Sequence, residues 1–312
     1  MENKLLLKKN ACTRTCILNI LSLLSDSKDK RNDIIKRFVE EFKFISDLNE
    51  SSKIFYTFLT FLRSSKIVKC KLGIFYFEKY LLVSDYEILF FDHDSFYKNQ
   101  LVNNKVVLFD WIKPQHLEIE LHPEYLNYVN SHIYDINTMF TPSEKLFQII
   151  ELSKIIYQFH GKDLCQGKFL PIFIYTLIYF QVKNLYHNLI YMQRYFTIPI
   201  QNCRSKCPHL ENGSNEKCEC TDNISSISFK EQKFYLLNLE AAICFIEKID
   251  FSLLNVELEE YCRNLDSRVH RIDTSKQPKK ISKEISFIDR AKFKAKSISY
   301  FVQDYIKKQF KK

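Results

Sequence analysis

Apolar residues recur every three to four positions along most of the chain, and turn-forming residues are few, a pattern that predicts an all-helical protein. The most apolar stretch is 169–180, in which only Thr176 is polar and only Pro171 would interrupt a helix. Twelve residues make a helix of about 18 Å, well short of the roughly 30 Å hydrocarbon layer of a bilayer. We therefore expect a central helix buried on all sides, with Pro171 in its first turn.

Capping signals in the sequence support the prediction of two further helices. Thr141 precedes a proline and is followed three residues later by Glu144, which is the spacing of a capping box. Gly161 is a suitable end for that helix. Ser228 and Glu231 repeat the capping-box spacing and predict the start of a second long helix.

Changes in composition divide the chain into contiguous parts. We expect a partly helical leader (1–52), a helical bundle (53–135), a second helical domain (136–265) with a cysteine-rich insertion (200–227), and a basic tail (266–312). The insertion is too long and too polar for an ordinary helix–helix connection.

Glycine is scarce, since the chain of 312 residues has only four. The sequence contains no GxGxxG, GxxxxGK(S/T), GxSxG or HExxH motif. Phosphate-cradling loops and nucleophile elbows need glycine where the backbone turns sharply or approaches a ligand. Nucleotide-binding enzymes and α/β-hydrolases are therefore disfavoured.

The formal net charge of +9 is concentrated at one end of the chain. Residues 268–312 contain fourteen Lys or Arg and four Asp or Glu, a local charge of +10, so the rest is close to neutral. The charge gives the body of the protein no character of a nucleic-acid binder, and we expect no nucleic-acid partner. No export signal is convincing, so the cysteines are expected to be mostly reduced thiols in the cytoplasm.

The cysteine-rich insertion carries one candidate metal site. Cys203, Cys207, Cys218 and Cys220 supply four soft ligands, enough for tetrahedral zinc. The alternative is a cysteine-bearing loop that binds no metal. We expect no required cofactor beyond this structural zinc.

The tail predicts a basic amphipathic helix with lysines outside its apolar face. Such a helix suits an anionic membrane surface or a partner helix, and the alternative is that it packs on its own domain. Its apolar face is formed by Ile281, Ile285, Ile288, Ala295, Ile298, Val302 and Tyr305.

Five segments, in order, resemble motifs of the Vps-nine (vacuolar protein sorting nine) domain family. "WIKPQHLEI" (111–119) is similar to a P-x-H-L-D/E-I connector, and "TPSEKL" (141–146) to a P-x-D/E-K-L helix start. "FLPIFIYTLI" (169–178) resembles the D/E-F-L-P-x-L-I-Y core helix. "NLYHNLIYMQRY" (184–195) and "FYLLNLEAAICFIEKID" (234–250) resemble the two helices that follow.

The resemblance implies a helical bundle packed on a layered α-helical domain. It also implies a guanine-nucleotide exchange factor for Rab-five-like GTPases, cytoplasmic and peripheral to endosomal membranes, acting in vesicle trafficking. In the family an aspartate finger displaces magnesium and engages the phosphate-binding lysine of the GTPase, and a tyrosine supports it. Magnesium and that lysine hold the diphosphate charges, so their loss weakens nucleotide binding.

The chain departs from the family at these active positions. The family's D-D/E-F-L-P frame reads Gly-Lys-Phe-Leu-Pro here, so both acidic positions are lost. The supporting tyrosine aligns with a phenylalanine, and the threonine three residues later with a leucine. The residues that the resemblance assigns to GTPase binding are Gly167, Lys168, Pro171, Asn188, Glu231, Phe234, Tyr235, Leu237 and Asn238.

Three interpretations remain open. The chain is a working exchange factor that has moved its carboxylate, for which Asp163 is the candidate finger and Tyr235 the neighbouring phenol. Alternatively, it binds a Rab-like GTPase as an adaptor without exchanging nucleotide. In the third interpretation the scaffold serves another partner, for instance as a zinc-bearing structural module.

Overall fold

Helices make up the part of the chain that the structure, a computed structural model, describes: residues 30–43, 48–64, 78–79, 82, 86–91, 94–133, 135–161, 164–195 and 229–269. These residues contain no β-strand, so the all-α prediction is confirmed. Single 3₁₀ turns cover Pro114–Leu117, Ile136–Thr138 and Phe251–Leu253. The helices are α1 (Lys30–Lys43), α2 (Leu48–Ser64), α3 (Tyr86–Phe90), α4 (Phe96–Leu108), α5 (Tyr125–His132), α6 (Pro142–His160), α7 (Gln166–Tyr179), α8 (Leu185–Tyr195), α9 (Phe229–Lys248) and α10 (Leu258–Val269).

The chain forms two compact units, each assembled from separate segments. The first unit takes residues 1–92, 140–147 and 190–234, and the second takes 93–139, 148–189 and 235–312. Helices α6, α8 and α9 each contribute residues to both units. The division into contiguous domains that the composition suggests stays a prediction.

Aromatic side chains dominate the core of the first unit. The Tyr191 ring meets the rings of Tyr86 and Phe90 edge to face, at 5.5 and 5.7 Å between centroids. Lys145 is fully buried, and its Nζ lies 5.3 Å from the centroid of Tyr86 and 4.8 Å from that of Phe90. Cation–π attraction therefore offsets part of the cost of burying this ammonium. The buried core residues are Ile35, Phe55, Phe58, Leu59, Leu62, Leu82, Leu89, Phe90, Tyr191 and Tyr195.

Helix α7 is the most buried helix of the second unit, as its apolar run predicts. It packs on α4 and on the turn Pro114–Leu117. Eight of its residues are buried on every side of the helix: Phe169, Leu170, Ile172, Phe173, Ile174, Tyr175, Leu177 and Ile178. Within the described residues, no helix has both the length and the apolar content needed to cross a bilayer.

The placement of Pro171 in the first turn was wrong. Helix α7 starts at Gln166, so Pro171 lies inside the helix. A proline there donates no N–H to the carbonyl of the residue four positions earlier, and its ring crowds that carbonyl. That residue is Gly167.

The start of α6 confirms the predicted capping box and adds a third partner. The Glu144 N–H donates to Thr141 Oγ1 at 3.2 Å, and the Thr141 N–H donates to Glu144 Oε2 at 3.3 Å. The N–H and hydroxyl of Ser143 donate to the two carboxylate oxygens of Glu78, at 2.9 and 2.7 Å. Gly161 ends the helix in the left-handed conformation, with φ of +98°.

Several predicted features lie outside the described residues: most of the leader, the Ser228 cap, the cysteine-rich insertion and the tail beyond Val269. Helix α10 itself extends three residues past the predicted start of the tail at 266. Arg268 in its last turn forms an ion pair with Asp110, and Glu260 in its first turn pairs with Lys113 at 3.1 Å. These pairs hold α10 against the segment that follows α4.

The end of α7 is a Schellman motif with glutamine where glycine is usual. The Gln181 N–H donates to the Ile178 carbonyl at 2.9 Å, and the Val182 N–H donates to the Leu177 carbonyl at 3.1 Å. This pattern requires a left-handed residue, and Gln181 has φ of +49°. A side chain in this conformation is strained relative to glycine.

Replacement of Gln181 by glycine is therefore expected to raise the free energy of unfolding by about 0.5–1 kcal/mol. Urea unfolding of the two proteins, followed by circular dichroism, measures the difference. Gln181→Ala is the matched control, because it removes the side chain without relieving the backbone. An equal gain in the alanine variant would contradict the backbone explanation.

Candidate functional site

The first turn of α7 contains the frame in which the resemblance places the acidic residues. Cys165 precedes the helix and is exposed, Gly167 is half-buried, and Lys168 is exposed. The N–H groups of Lys168 and Phe169 donate to the Cys165 carbonyl at 2.9 and 3.0 Å. The frame is thus part of a regular helix start, with its second residue available at the surface.

The charge at this helix start is opposite to that of a carboxylate. Helix α7 has no acidic residue in its first turn, and Lys168 adds an ammonium to the positive end of the helix dipole. By contrast, α6 and α9 carry Glu144 and Glu231 in their first turns. The start of α7 therefore lacks a group that can engage a lysine or displace a magnesium ion.

Asp163, the candidate for a moved finger, lies outside the described residues, and its role stays a prediction. The nearest described residues are Gly161 before it and Leu164 after it. The Leu164 N–H donates to the Gly161 carbonyl at 3.3 Å, so the two ends of this short segment lie within hydrogen-bond distance. The segment joins the end of α6 to the start of α7.

Tyr157 is a neighbour of this helix start that the sequence reasoning missed. Its ring stacks on Phe169 with 5.1 Å between centroids and 12° between planes. Partial burial raises the pKa of Tyr157. The stacking fixes the residue directly after Lys168 against α6. The only signal in the sequence is an aromatic residue one turn before the end of α6.

Helix α9 supplies the second group of candidate residues. Glu231, Phe234 and Leu237 follow one another at intervals of three and are all half-buried, so they form one partly accessible stripe. Tyr235 and Asn238 are buried, at 7% and 3% exposure. Direct contact of these two with a partner protein would require their side chains to move.

Asn188 is fully buried, and its contacts hold the start of α8 in place. Its Nδ2 donates to Asn137 Oδ1 at 3.1 Å and to the Asn184 carbonyl at 2.9 Å. Asn184 in turn accepts at Oδ1 from Asn99 Nδ2, at 3.1 Å. A part for Asn188 in GTPase binding stays a prediction, and any effect would act through the position of α8.

The predicted zinc ligands all lie in the insertion outside the described residues, so the zinc site stays a prediction that metal analysis of the purified protein would decide. Among the residues that the structure does describe, no group of three His, Cys, Asp or Glu is arranged to hold a metal ion. Three cysteines of the described residues form no disulfide: Cys165, Cys244 and Cys262.

Comparison with known proteins identifies the class that this helical arrangement defines. Residues 126–251 match the Vacuolar sorting protein 9 (VPS9) domain family. This part of the chain is therefore similar to the VPS9 domain, as the five motifs predict.

Three curated relatives agree with the family match. The chain is 22% identical over 207 residues to the vacuolar protein sorting-associated protein vps901 of Schizosaccharomyces pombe, which covers 64% of this chain and 32% of the relative. It is 25% identical over 203 residues to the Rab5 GDP/GTP exchange factors of Bos taurus and Homo sapiens, covering 61% of this chain and 36% of each relative. The chain thus spans about a third of the length of the relatives it matches.

Proposed function

We propose that this protein binds a Rab5-type small GTPase and promotes its exchange of GDP for GTP in endosomal vesicle trafficking. The observation that carries the proposal is the VPS9 match over 126–251, which contains α7 and the described part of α9. The exchange-factor names of two relatives support the same activity. In this proposal the GTPase contacts residues that the resemblance assigns to it, among them Lys168 at the start of α7.

The chemistry requires a carboxylate that the first turn of α7 does not carry. We propose that Asp163 supplies it, because it lies four residues before the family's position and three residues before the start of α7. A carboxylate that reaches the nucleotide pocket repels the phosphates and competes for the lysine that holds them. The accessible Lys168 would then contact the GTPase without taking part in release.

A second candidate function is a Rab adaptor that binds without exchanging nucleotide. Two observations favour it: the ammonium of Lys168 at the family's acidic frame, and the apolar side chains of Phe234 and Leu237. Neither apolar side chain can replace the hydrogen bonds of a tyrosine or a threonine. Both functions share the same binding surface, so only a rate measurement separates them.

The deciding experiment is release of fluorescent GDP from the organism's own Rab5-like protein, with and without the full chain. We expect the chain to accelerate release, and Asp163→Ala to reduce that acceleration on the order of 10²-fold, the usual cost of removing a group that acts on transition-state charge. Asp266→Ala is the matched control, because Asp266 is an exposed acid on α10. It should leave the rate unchanged.

The affinity of the GTPase for each variant is measured as well. If the Asp163→Ala and Asp266→Ala chains bind the GTPase equally tightly, the difference between their rates reports on GDP release alone. Binding without any acceleration by the unaltered chain would establish the adaptor function instead. Acceleration that survives Asp163→Ala would show that another group acts as the finger.

A further inference from the structure

A cavity of about 480 Å³ lies at the C-terminal end of α7, within the second unit. Its walls are formed by α5, α6, the last turn of α7 and the segment 180–184. The volume lies within the range of about 300–1,000 Å³ that is usual for ligand sites. The opposite end of α7, about 20 Å away along the helix, carries Gly167 and Lys168, so this cavity is separate from that part of the proposed exchange surface.

The floor of the cavity is apolar. Val129 of α5, Ile149 and Leu152 of α6, and Leu177 of α7 line it and are all at most 5% exposed. Two buried polar residues, Gln148 and Thr176, also line the cavity. The Thr176 hydroxyl already bonds to Tyr125 Oη at 2.8 Å and donates to the Ile172 carbonyl at 2.7 Å. The floor therefore suits a bulky apolar group.

Carboxamide side chains form the rim. Asn130, Asn137, Gln181 and Asn184 line the cavity, together with one carboxylate, Asp135, and one ammonium, Lys183. The Asn137 amide is committed to Asp135 Oδ1 and to the Lys183 carbonyl, at 2.8 and 3.1 Å. The Asn130 side chain is exposed and bonds to no described residue.

Two rim residues have a strained backbone. Gln181 and Asn184 have φ of +49° and +55°, and they bound the segment that closes the cavity on one side. Glycine would fit the Gln181 position at lower energy. The one hydrogen bond of the described Gln181 amide is long, 3.3 Å to Asp110 Oδ2. Strain of this kind concentrates where a side chain serves a binding site.

We propose that this cavity binds a short segment of a partner protein, with one bulky apolar side chain on the floor and its peptide groups bonded to the rim amides. A carboxamide offers one donor group and one acceptor, the same pair that a peptide unit offers, so Asn130 and Gln181 match an extended main chain. The single carboxylate and single ammonium cancel, which disfavours phosphate-bearing ligands and anionic lipid headgroups. The partner is therefore a peptide with an aliphatic or phenylalanine anchor.

The test uses methyl NMR of the full chain, titrated with N-acetyl-L-leucine N-methylamide as the probe. We expect saturable shifts of the methyl groups of Val129, Ile149, Leu152 and Leu177. N-acetylglycine N-methylamide, which lacks the apolar anchor, should cause no saturable shift. The absence of shifts with the leucine probe, or equal shifts with the glycine probe, would overturn the proposal.

Gln181→Gly provides a variant that tests the rim without weakening the fold. Loss of one amide hydrogen bond should weaken binding of the leucine probe about five-fold, and Gln181→Asn, which keeps an amide, should restore part of the affinity. Unchanged affinity in Gln181→Gly would overturn the proposal. Tighter binding of octanoate than of the leucine probe would also overturn it, in favour of an amphiphile site.

Discussion

Added to Asp163→Ala, the pair Gly167→Asp and Lys168→Asp is expected to restore GDP release from a Rab5-like protein, to a rate on the order of 10²-fold faster than that of Asp163→Ala alone. The double change restores carboxylates to both positions of the family's acidic frame. It also removes the Lys168 ammonium, which would attract the phosphates that the carboxylates are proposed to repel. The measurement is the same fluorescent-GDP release, at several concentrations of the chain so that binding and rate are separated.

The local structure accepts these substitutions. Both residues lie in the first turn of α7, where acidic side chains favour the positive end of the helix dipole by about 0.3–1 kcal/mol. Gly167 is helical and does not need the left-handed conformation, so an aspartate causes no backbone strain. The double variant should therefore be at least as stable as the unaltered chain.

Two controls separate the carboxylate from the change of charge. Lys168→Ala removes the ammonium without adding an acid and should give little of the gain. Lys36→Asp repeats the charge change of Lys168→Asp on an exposed residue of α1 and should give none. If the added pair binds the GTPase but releases GDP no faster than Asp163→Ala alone, acids in the first turn of α7 cannot replace Asp163.

Much of the fold could be predicted because its signals are local. The continuous apolar run of 169–180 predicts a buried helix, and the Thr141–Glu144 spacing predicts the start of α6 to the residue. The error at Pro171 has a local cause as well. The apolar run begins only after Gly167 and Lys168, so the pattern places the helix start too late. Proline is also common at helix starts, which favoured the same error. Helix α4 was missed because its buried residues include Asn99 and Lys105, which break the apolar pattern.

Contacts between residues far apart in the sequence could not be predicted. Glu78 lies in the aromatic-rich stretch "GIFYFEKYLL", and a charged residue is normally expected at the surface. It is instead buried, and it bonds to Ser143, which is 65 positions away in the sequence. Likewise, nothing local shows that Asn188 meets Asn137 inside the protein. At the candidate site, the sequence predicts the loss of the acidic residues but not the stacking of Tyr157 on Phe169.

Glu78 carries the second large effect, on the stability of the first unit. Burial is the main reason that its pKa rises from 4.5 to about 7; the hydrogen bonds from Ser143 oppose the rise, and Glu144 adds to it. The unfolded chain thus loses this proton near pH 4.5, while the folded protein keeps it up to about pH 7. Stability from this residue is complete below pH 4.5 and falls as the pH rises to 7.

The expected loss between pH 4.5 and pH 7 is about 3 kcal/mol, because each pH unit of difference corresponds to about 1.4 kcal/mol. Glu78→Gln should remove this loss. Glutamine has the shape of the protonated carboxyl, accepts from the Ser143 N–H through its oxygen and donates to the Ser143 hydroxyl through its nitrogen. We therefore expect the variant to match the unaltered chain at pH 4.5 and to be more stable by about 3 kcal/mol at pH 8.

Urea unfolding at half-unit steps from pH 4.5 to pH 8 measures the difference, with Glu87→Gln, an exposed acid of α3, as the matched control. The control should show the same pH dependence as the unaltered chain, because it leaves Glu78 and its buried surroundings unchanged. A Glu78→Gln variant that loses stability equally at every pH would show that Glu78 is ionised when folded. Its charge would then be balanced inside the unit.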